Sequence, residues 1–195
     1  MSERPVFNVA QLLKEPLGAT RRNEIDVRVQ DLVPDLAQIE PDADEAEATL
    51  RGTVRMMHST DGVLVQGDLE ADVAVPCARC LEPVPVHLDV PVEETFVPTL
   101  DVVTGQTVRP EEEDQALWID EHHILDMSEV LRQDVLVALP MHAVCRSDCK
   151  GLCPTCGKNL NEGSCDCQAE PDPRWARLAN LLDNDHKPDS DLDKE

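Results

Sequence analysis

The sequence contains no tyrosine, two phenylalanines and two tryptophans, so aromatic residues make up 2% of its 195 positions. A core with so few rings must be built from aliphatic side chains, and stacking platforms for nucleic-acid bases are not expected. Basic residues are also scarce. Seventeen Lys and Arg stand against 40 Asp and Glu, a net charge of −23. That balance excludes a bulk electrostatic grip on nucleic acid or on an anionic membrane. It reads as a solvated, salt-adapted surface or as a surface for a basic partner. No apolar run approaches the roughly 20 residues of a membrane span. The first ten residues, M-S-E-R-P-V-F-N-V-A, lack the apolar stretch of a secretory signal. The expectation is a cytoplasmic protein with no membrane partner. The chain shows no H-E-x-x-H, no H-x-E followed by P-C-x-x-C and no Gly-rich phosphate loop, so no enzyme is expected.

Cysteine is what the chain does have. There are eight, and six of them fall between Cys145 and Cys167 in C-R-S-D-C-K-G-L-C-P-T-C-G-K-N-L-N-E-G-S-C-D-C. In a reducing compartment such clusters hold metal more often than they form disulfides. Short C-x-x-C turns supply zinc with thiolates two at a time. The other pair, Cys77 and Cys80, lies in P-C-A-R-C-L-E-P.

Taken in order, the chain reads as strands first and helices later. Asn8 is placed to cap a short helix over Val9–Lys14 with Leu12 and Leu13 inward, ended by Pro16 and Gly18. Strict alternation marks a strand over Glu24–Gln30. Asp31–Glu47 reads as an acidic, Pro-containing loop with a short strand near Leu36–Ile39. Thr49–Met56, Val63–Val75 and Val84–Val92 form a meander, its first turn at Ser59-Thr60-Asp61-Gly62. Pro85 and Pro91 mark the last of these as an edge strand, and Cys77 and Cys80 sit at the tip before it. Thr99–Leu117 is a polar connection holding the acidic run Glu111–Asp114. Asp126 and Glu129 have capping-box spacing ahead of a helix carrying Val130, Leu131, Val135 and Ala138, stopped by Pro140. Asp172 and Pro173 open a last helix with the stripe Trp175, Leu178, Ala179 and Leu182. Residues 183–195 are acidic and polar, with the composition of a disordered tail.

The fold class expected is α+β: an antiparallel β-meander or partly open barrel, then a helix, a cysteine-rich zinc segment and a C-terminal helix. The domains expected are a mainly β domain at 1–125, the helix, zinc segment and last helix at 126–182, and the tail at 183–195. Eight sulfurs divide into two tetrahedral sets, Cys153, Cys156, Cys165 and Cys167 locally, and Cys77, Cys80, Cys145 and Cys149 between hairpin and post-helix segment. The alternative is one zinc on a set such as Cys149, Cys153, Cys156 and Cys167, with the rest free. His142 is a further candidate ligand. Sulfur-rich, closed sites point to structural and not catalytic metal.

The C-A-R-C-L-E-P-V hairpin, the helix V-L-R-Q-D-V-L-V-A-L-P, the run C-x-x-x-C-K-G-L-C-P-x-C-G-x-N-L-N-E-G-x-C-x-C and D-P-R-x-A-x-L together resemble the YceD-like family, the large ribosomal RNA subunit accumulation proteins of bacteria and plastids. The likeness covers roughly residues 45–182. It implies a part in the accumulation or processing of large-subunit rRNA, and genes of the family often lie beside one for a large-subunit ribosomal protein. In Met141–Leu182 five basic residues balance five acidic ones, leaving 12 against 35 in the remainder. A zinc–tetrathiolate centre is itself negative, so an indirect role through a basic ribosomal protein or assembly factor is favoured. Direct RNA binding by the zinc segment and a zinc-buffering or stress role remain as alternatives.

Overall fold

The structure is a computed structural model that describes residues 4–34, 36, 48–108, 115–167 and 174. The acidic run at 111–114, the helix expected from Asp172 apart from Arg174, the tail at 183–195 and the strand expected near 36–39 apart from Leu36 lie outside these residues. The fold is α+β with a mostly sheet core. Its elements are β1 (Val6–Asn8), α1 (Ala10–Lys14), β2 (Thr20–Arg28), α2 (Val29–Leu32), β3 (Thr49–His58), β4 (Val63–Pro76), β5 (Pro83–Pro98), β6 (Trp118–Ile119), β7 (Ile124–Asp126) and α3 (Ser128–Ala138).

Five strands form one sheet in the order β2-β3-β4-β5-β6, and β1 pairs with β7 in a second. The ladders are antiparallel apart from the short β5–β6 pair. A return at Asp120, whose N–H donates to the Ile124 carbonyl at 3.0 Å, carries the chain from β6 to β7. Among the described residues no ladder joins β1 to β2, so the sheets stay open there.

Alternation puts Leu50, Val54 and Met56 of β3 inward beside Val63, Val65 and Leu69 of β4 and Leu88, Val90 and Phe96 of β5, all buried. Phe96 is the one aromatic ring among the fully buried side chains of the described residues. Each such aliphatic side chain contributes about 1.5–3 kcal/mol on burial. Gly67 lets β3 and β4 close up: a Cβ there would stand 2.6 Å from the Thr53 carbonyl oxygen.

The edge character of β5 has a backbone reason. The Cys77 N–H donates to the Glu82 carbonyl at 2.8 Å. Alternation along the β4–β5 register from that pair places Pro85 and Pro91 where a backbone nitrogen faces the open edge. The missing donors protect the edge from pairing. Strand β2 runs Thr20–Arg28 and not Glu24–Gln30. Val29 stays buried but opens α2, because its N–H goes to the Ala48 carbonyl (2.9 Å) and Arg28 turns back onto Asp31 (3.0 Å).

Helix α1 starts one residue later than its sequence predicts, with Val9 at the N-cap and no side-chain cap; Asn8, just outside it, still accepts from the Ala10 N–H through Oδ1 at 3.1 Å. The expected capping box does not form on α3, whose N-cap is Met127 with no side-chain cap. The Asp126 carboxylate accepts from the Ser128 N–H at 2.8 Å. Glu129 instead takes Arg132 at 2.6 Å and Gln133 at 3.0 Å. Val130, Leu131 and Val135 bury α3 against the sheet. The described residues form two compact units, one ending at Cys149 and the other starting at Lys150. No helix among the described residues is long and apolar enough to cross a membrane.

Candidate metal centres

The β4–β5 connection and the segment after Lys150 build the same turn twice. In the first, the Leu81 N–H donates to the Cys77 carbonyl (3.0 Å) and the Cys77 N–H to the Glu82 carbonyl (2.8 Å). In the second, the Gly157 N–H donates to the Cys153 carbonyl (2.9 Å) and the Cys153 N–H to the Lys158 carbonyl (2.8 Å). The residue after the second cysteine is left-handed in both, with φ 65° at Leu81 and 73° at Gly157. This backbone turns both sulfurs of each C-x-x-C to one side.

Each turn meets a second cysteine pair. Cys77, Cys80, Cys145 and Cys149 have their sulfurs within 4.8 Å of one another, and so do Cys153, Cys156, Cys165 and Cys167. Cys149 therefore groups with the hairpin, and His142 is exposed and in neither set. In the first tetrad Cys77 and Cys149 sulfurs stand 4.0 Å apart and Cys80 and Cys145 sulfurs 3.6 Å. A disulfide needs about 2.05 Å, and all eight cysteines are free. Four thiolates about 2.3 Å from one metal ion sit about 3.8 Å apart at the corners of a tetrahedron. The observed spacings fit that figure.

Backbone donors prepare one thiolate per tetrad. The Cys77 thiol is lowered to about 6, chiefly by hydrogen bonds from the Cys80, Cys145 and Arg79 backbone. The Cys145 and Arg79 N–H groups lie 3.4 and 3.5 Å from its sulfur. Cys153 is lowered to about 6 by the Cys156 and Thr155 backbone. Their neighbours resist ionising beside that charge. Cys145 is pushed up to about 12, first by desolvation of its sulfur and then by the surrounding sulfurs. Cys167 is pushed up to about 12, first by its hydrogen bond with Cys156. A divalent cation held by these residues would supply the positive charge that lets all four lose their protons.

The tetrads differ in shielding. Cys77, Cys80 and Cys149 are buried and only Cys145 is exposed, whereas Cys156 and Cys167 are exposed, Cys165 is half-buried and only Cys153 is buried. They also differ in their supports. Arg79 lies inside the first C-x-x-C and reaches across to the Cys149 and Ser147 carbonyls at 2.9 and 3.4 Å. The Ala78 N–H holds the Ala143 carbonyl at 2.8 Å. In the second unit Asn161 Oδ1 accepts from the Lys150 N–H (2.8 Å) and Lys158 Nζ donates to the Ser164 carbonyl (2.9 Å). Reading the sequence for sulfur alone passes over Arg79. A basic residue between two candidate ligands is visible there, but its target is not.

The profile of the family described as "Large ribosomal RNA subunit accumulation protein YceD" matches residues 65–182, which include all eight cysteines. The chain belongs to the YceD family. An uncharacterized protein of Mycobacterium tuberculosis is 36% identical over 129 residues, 66% of this chain and 60% of that protein, so the chain spans less than two thirds of its length. One of Mycobacterium leprae is 32% identical over 184 residues, 91% of this chain and 80% of that protein. The family member named "Large ribosomal RNA subunit accumulation protein YCED homolog 1, chloroplastic" from Arabidopsis thaliana is 38% identical over 71 residues, 33% of this chain and 22% of its own. No solved structure matches the chain.

Proposed function

We infer that this chain is a non-enzymatic zinc protein that supports accumulation of large-subunit ribosomal RNA, acting through a basic ribosomal protein or assembly factor. The observation that carries the zinc reading is the pair of all-cysteine tetrads with sulfurs within 4.8 Å. Sulfur-only donors at that spacing suit a tetrahedral zinc ion, and four thiolates leave no open position for a substrate. The first ion joins the β4–β5 tip to a segment 65–72 residues further along the chain. The second closes a local fold. Family membership and the printed name of the plant relative support the rRNA role. The net charge of −23 favours a basic protein over bare RNA as the direct contact.

Two measurements test this. Native mass spectrometry of the purified chain is expected to show two zinc ions, falling to one in the Cys77→Ser, Cys80→Ser double variant. One ion in the wild type, or no change in the variant, overturns the two-centre reading. In cells lacking the chain, large-subunit rRNA is expected to fall relative to small-subunit rRNA. An unchanged ratio overturns the functional reading.

A further inference from the structure

Leu81 is in the wrong place for a leucine. Its φ of 65° is a conformation that favours glycine, and glycine occupies the equivalent position, Gly157, in the second turn. The side chain is not retained for packing, because it is 64% exposed. It is also not alone. Nine large apolar side chains are exposed among the described residues, and five of them are Leu81 on the first cysteine turn, Met141 and Val144 beside the segment that meets it, and Leu136 and Val137 in the last turn of α3 just before that segment. Val137 is 86% and Met141 93% exposed. The two parts are tied together by the Ala78–Ala143 hydrogen bond at 2.8 Å and by the Cys80 and Cys145 sulfurs at 3.6 Å. Apolar side chains scattered singly on a surface need no explanation, whereas a cluster marks a contact surface.

We propose that Leu81, Leu136, Val137, Met141 and Val144 form the docking surface for a basic protein of the large ribosomal subunit, which places an apolar side chain on the patch. This rests on the functional reading above and specifies where that reading acts. Charge selects the occupant. A second copy of the chain brings another −23 and is repelled. At the rim, Glu82 and Asp148 are exposed, and zinc on four thiolates leaves a formal charge of −2. Arg79, which donates to the neutral Ser147 and Cys149 carbonyls, and Arg146, 3.6 Å from Asp148, offset these two carboxylates, so the pull on a basic partner comes from the net charge of −23 on the whole chain. An apolar patch on a strongly acidic chain fits a basic segment carrying an aliphatic or aromatic anchor.

The test uses the zinc-loaded full chain, immobilised, and the pool of basic proteins released from purified large ribosomal subunits by lithium chloride. The wild type is expected to retain a basic ribosomal protein from that pool. Leu81→Gly, and separately Val137→Ser with Met141→Ser, are expected to bind it at least about tenfold more weakly, the effect of losing a buried anchor. Leu17→Ser with Val103→Ser, exposed apolar residues elsewhere, is expected to bind like the wild type. Leu81→Gly is expected to keep both zinc ions and to unfold no earlier than the wild type, which native mass spectrometry and denaturant unfolding check, so that loss of binding is separated from loss of fold. Equal binding by the patch variants overturns the surface. So does retention of nothing by the wild type, or a wild-type dimer in ultracentrifugation that Met141→Ser dissociates. None of these outcomes touches the rRNA ratio in cells lacking the chain, which separates failure of the surface from failure of the function.

Discussion

Leu81 and Gly157 hold the same backbone position in two matching turns, their N–H groups 3.0 and 2.9 Å from the carbonyls of Cys77 and Cys153. One turn uses the residue that the conformation favours and the other does not. Left-handed geometry costs a side-chain-bearing residue about 1–2 kcal/mol. Glycine loses part of that advantage through its freer unfolded chain, about 0.5–1 kcal/mol. Leu81→Gly is therefore expected to raise stability by about 0.5–1 kcal/mol and Gly157→Val to lower it by about 1–2 kcal/mol. Denaturant unfolding of the zinc-loaded protein measures both, and a destabilised Leu81→Gly sinks the comparison.

Metal removal is expected to be stepwise. The second tetrad exposes Cys156 and Cys167 while the first buries three of its four sulfurs, so a chelator reaches the second first. Native mass spectrometry during an EDTA titration should show a one-zinc species. Cys165→Ser with Cys167→Ser should hold its remaining ion to higher EDTA than Cys77→Ser with Cys80→Ser. Loss of the first ion should also melt the sheet unit, because that centre closes long loops of the chain. The reverse order of release contradicts the shielding argument.

His87 faces Asp72 across the β4–β5 ladder, its Nδ1 2.8 Å from the carboxylate. That hydrogen bond is the main cause of a histidine pKa raised above the ordinary value; desolvation opposes it, and the charges of Asp72, Asp89 and Glu70 add smaller upward contributions. A raised folded-state pKa stabilises the fold below the unfolded value of about 6.5, and the contribution is lost as pH rises through the raised value. NMR titration should place His87 above a free histidine, and Asp72→Asn should bring it back down. A titration that ignores Asp72→Asn removes this account.

Gly67 tests the closeness of β3 and β4. A Cβ would meet the Thr53 carbonyl oxygen at 2.6 Å and the Val54 Cα at 2.9 Å, both backbone atoms that cannot swing aside. Gly67→Ala is expected to cost about 1–3 kcal/mol by forcing the strands apart. Thermal unfolding gives the answer, and a neutral result means the ladder can shift without penalty.

Much of the architecture was legible along the chain because it is written in local patterns. Alternation over residues 49–56, 63–75 and 84–92 is enough to name three strands, since a half-buried strand must repeat every second residue. Asn8 and Asp126 signalled their helices through side chains that bond within two residues. Prolines 85 and 91 announced an edge by lacking donors. The spacing C-P-T-C-G, with glycine where φ is positive, disclosed a metal-type turn on its own.

What only tertiary structure decided is what distant residues do to one another. Whether Cys149 joins Cys77 or Cys153 is a matter of where the backbone carries it, and both spacings are open on paper. The reach of Arg79 to the Cys149 carbonyl, the burial of α3 against the sheet and the turning of Val29 into a helix depend on partners 19 to 70 residues away. Leu81 is the clearest case. In the sequence it is one more aliphatic residue in an aliphatic protein. Only the fold shows it held in a left-handed conformation with its side chain in solvent, because φ and exposure are properties of the closed turn and not of the letter.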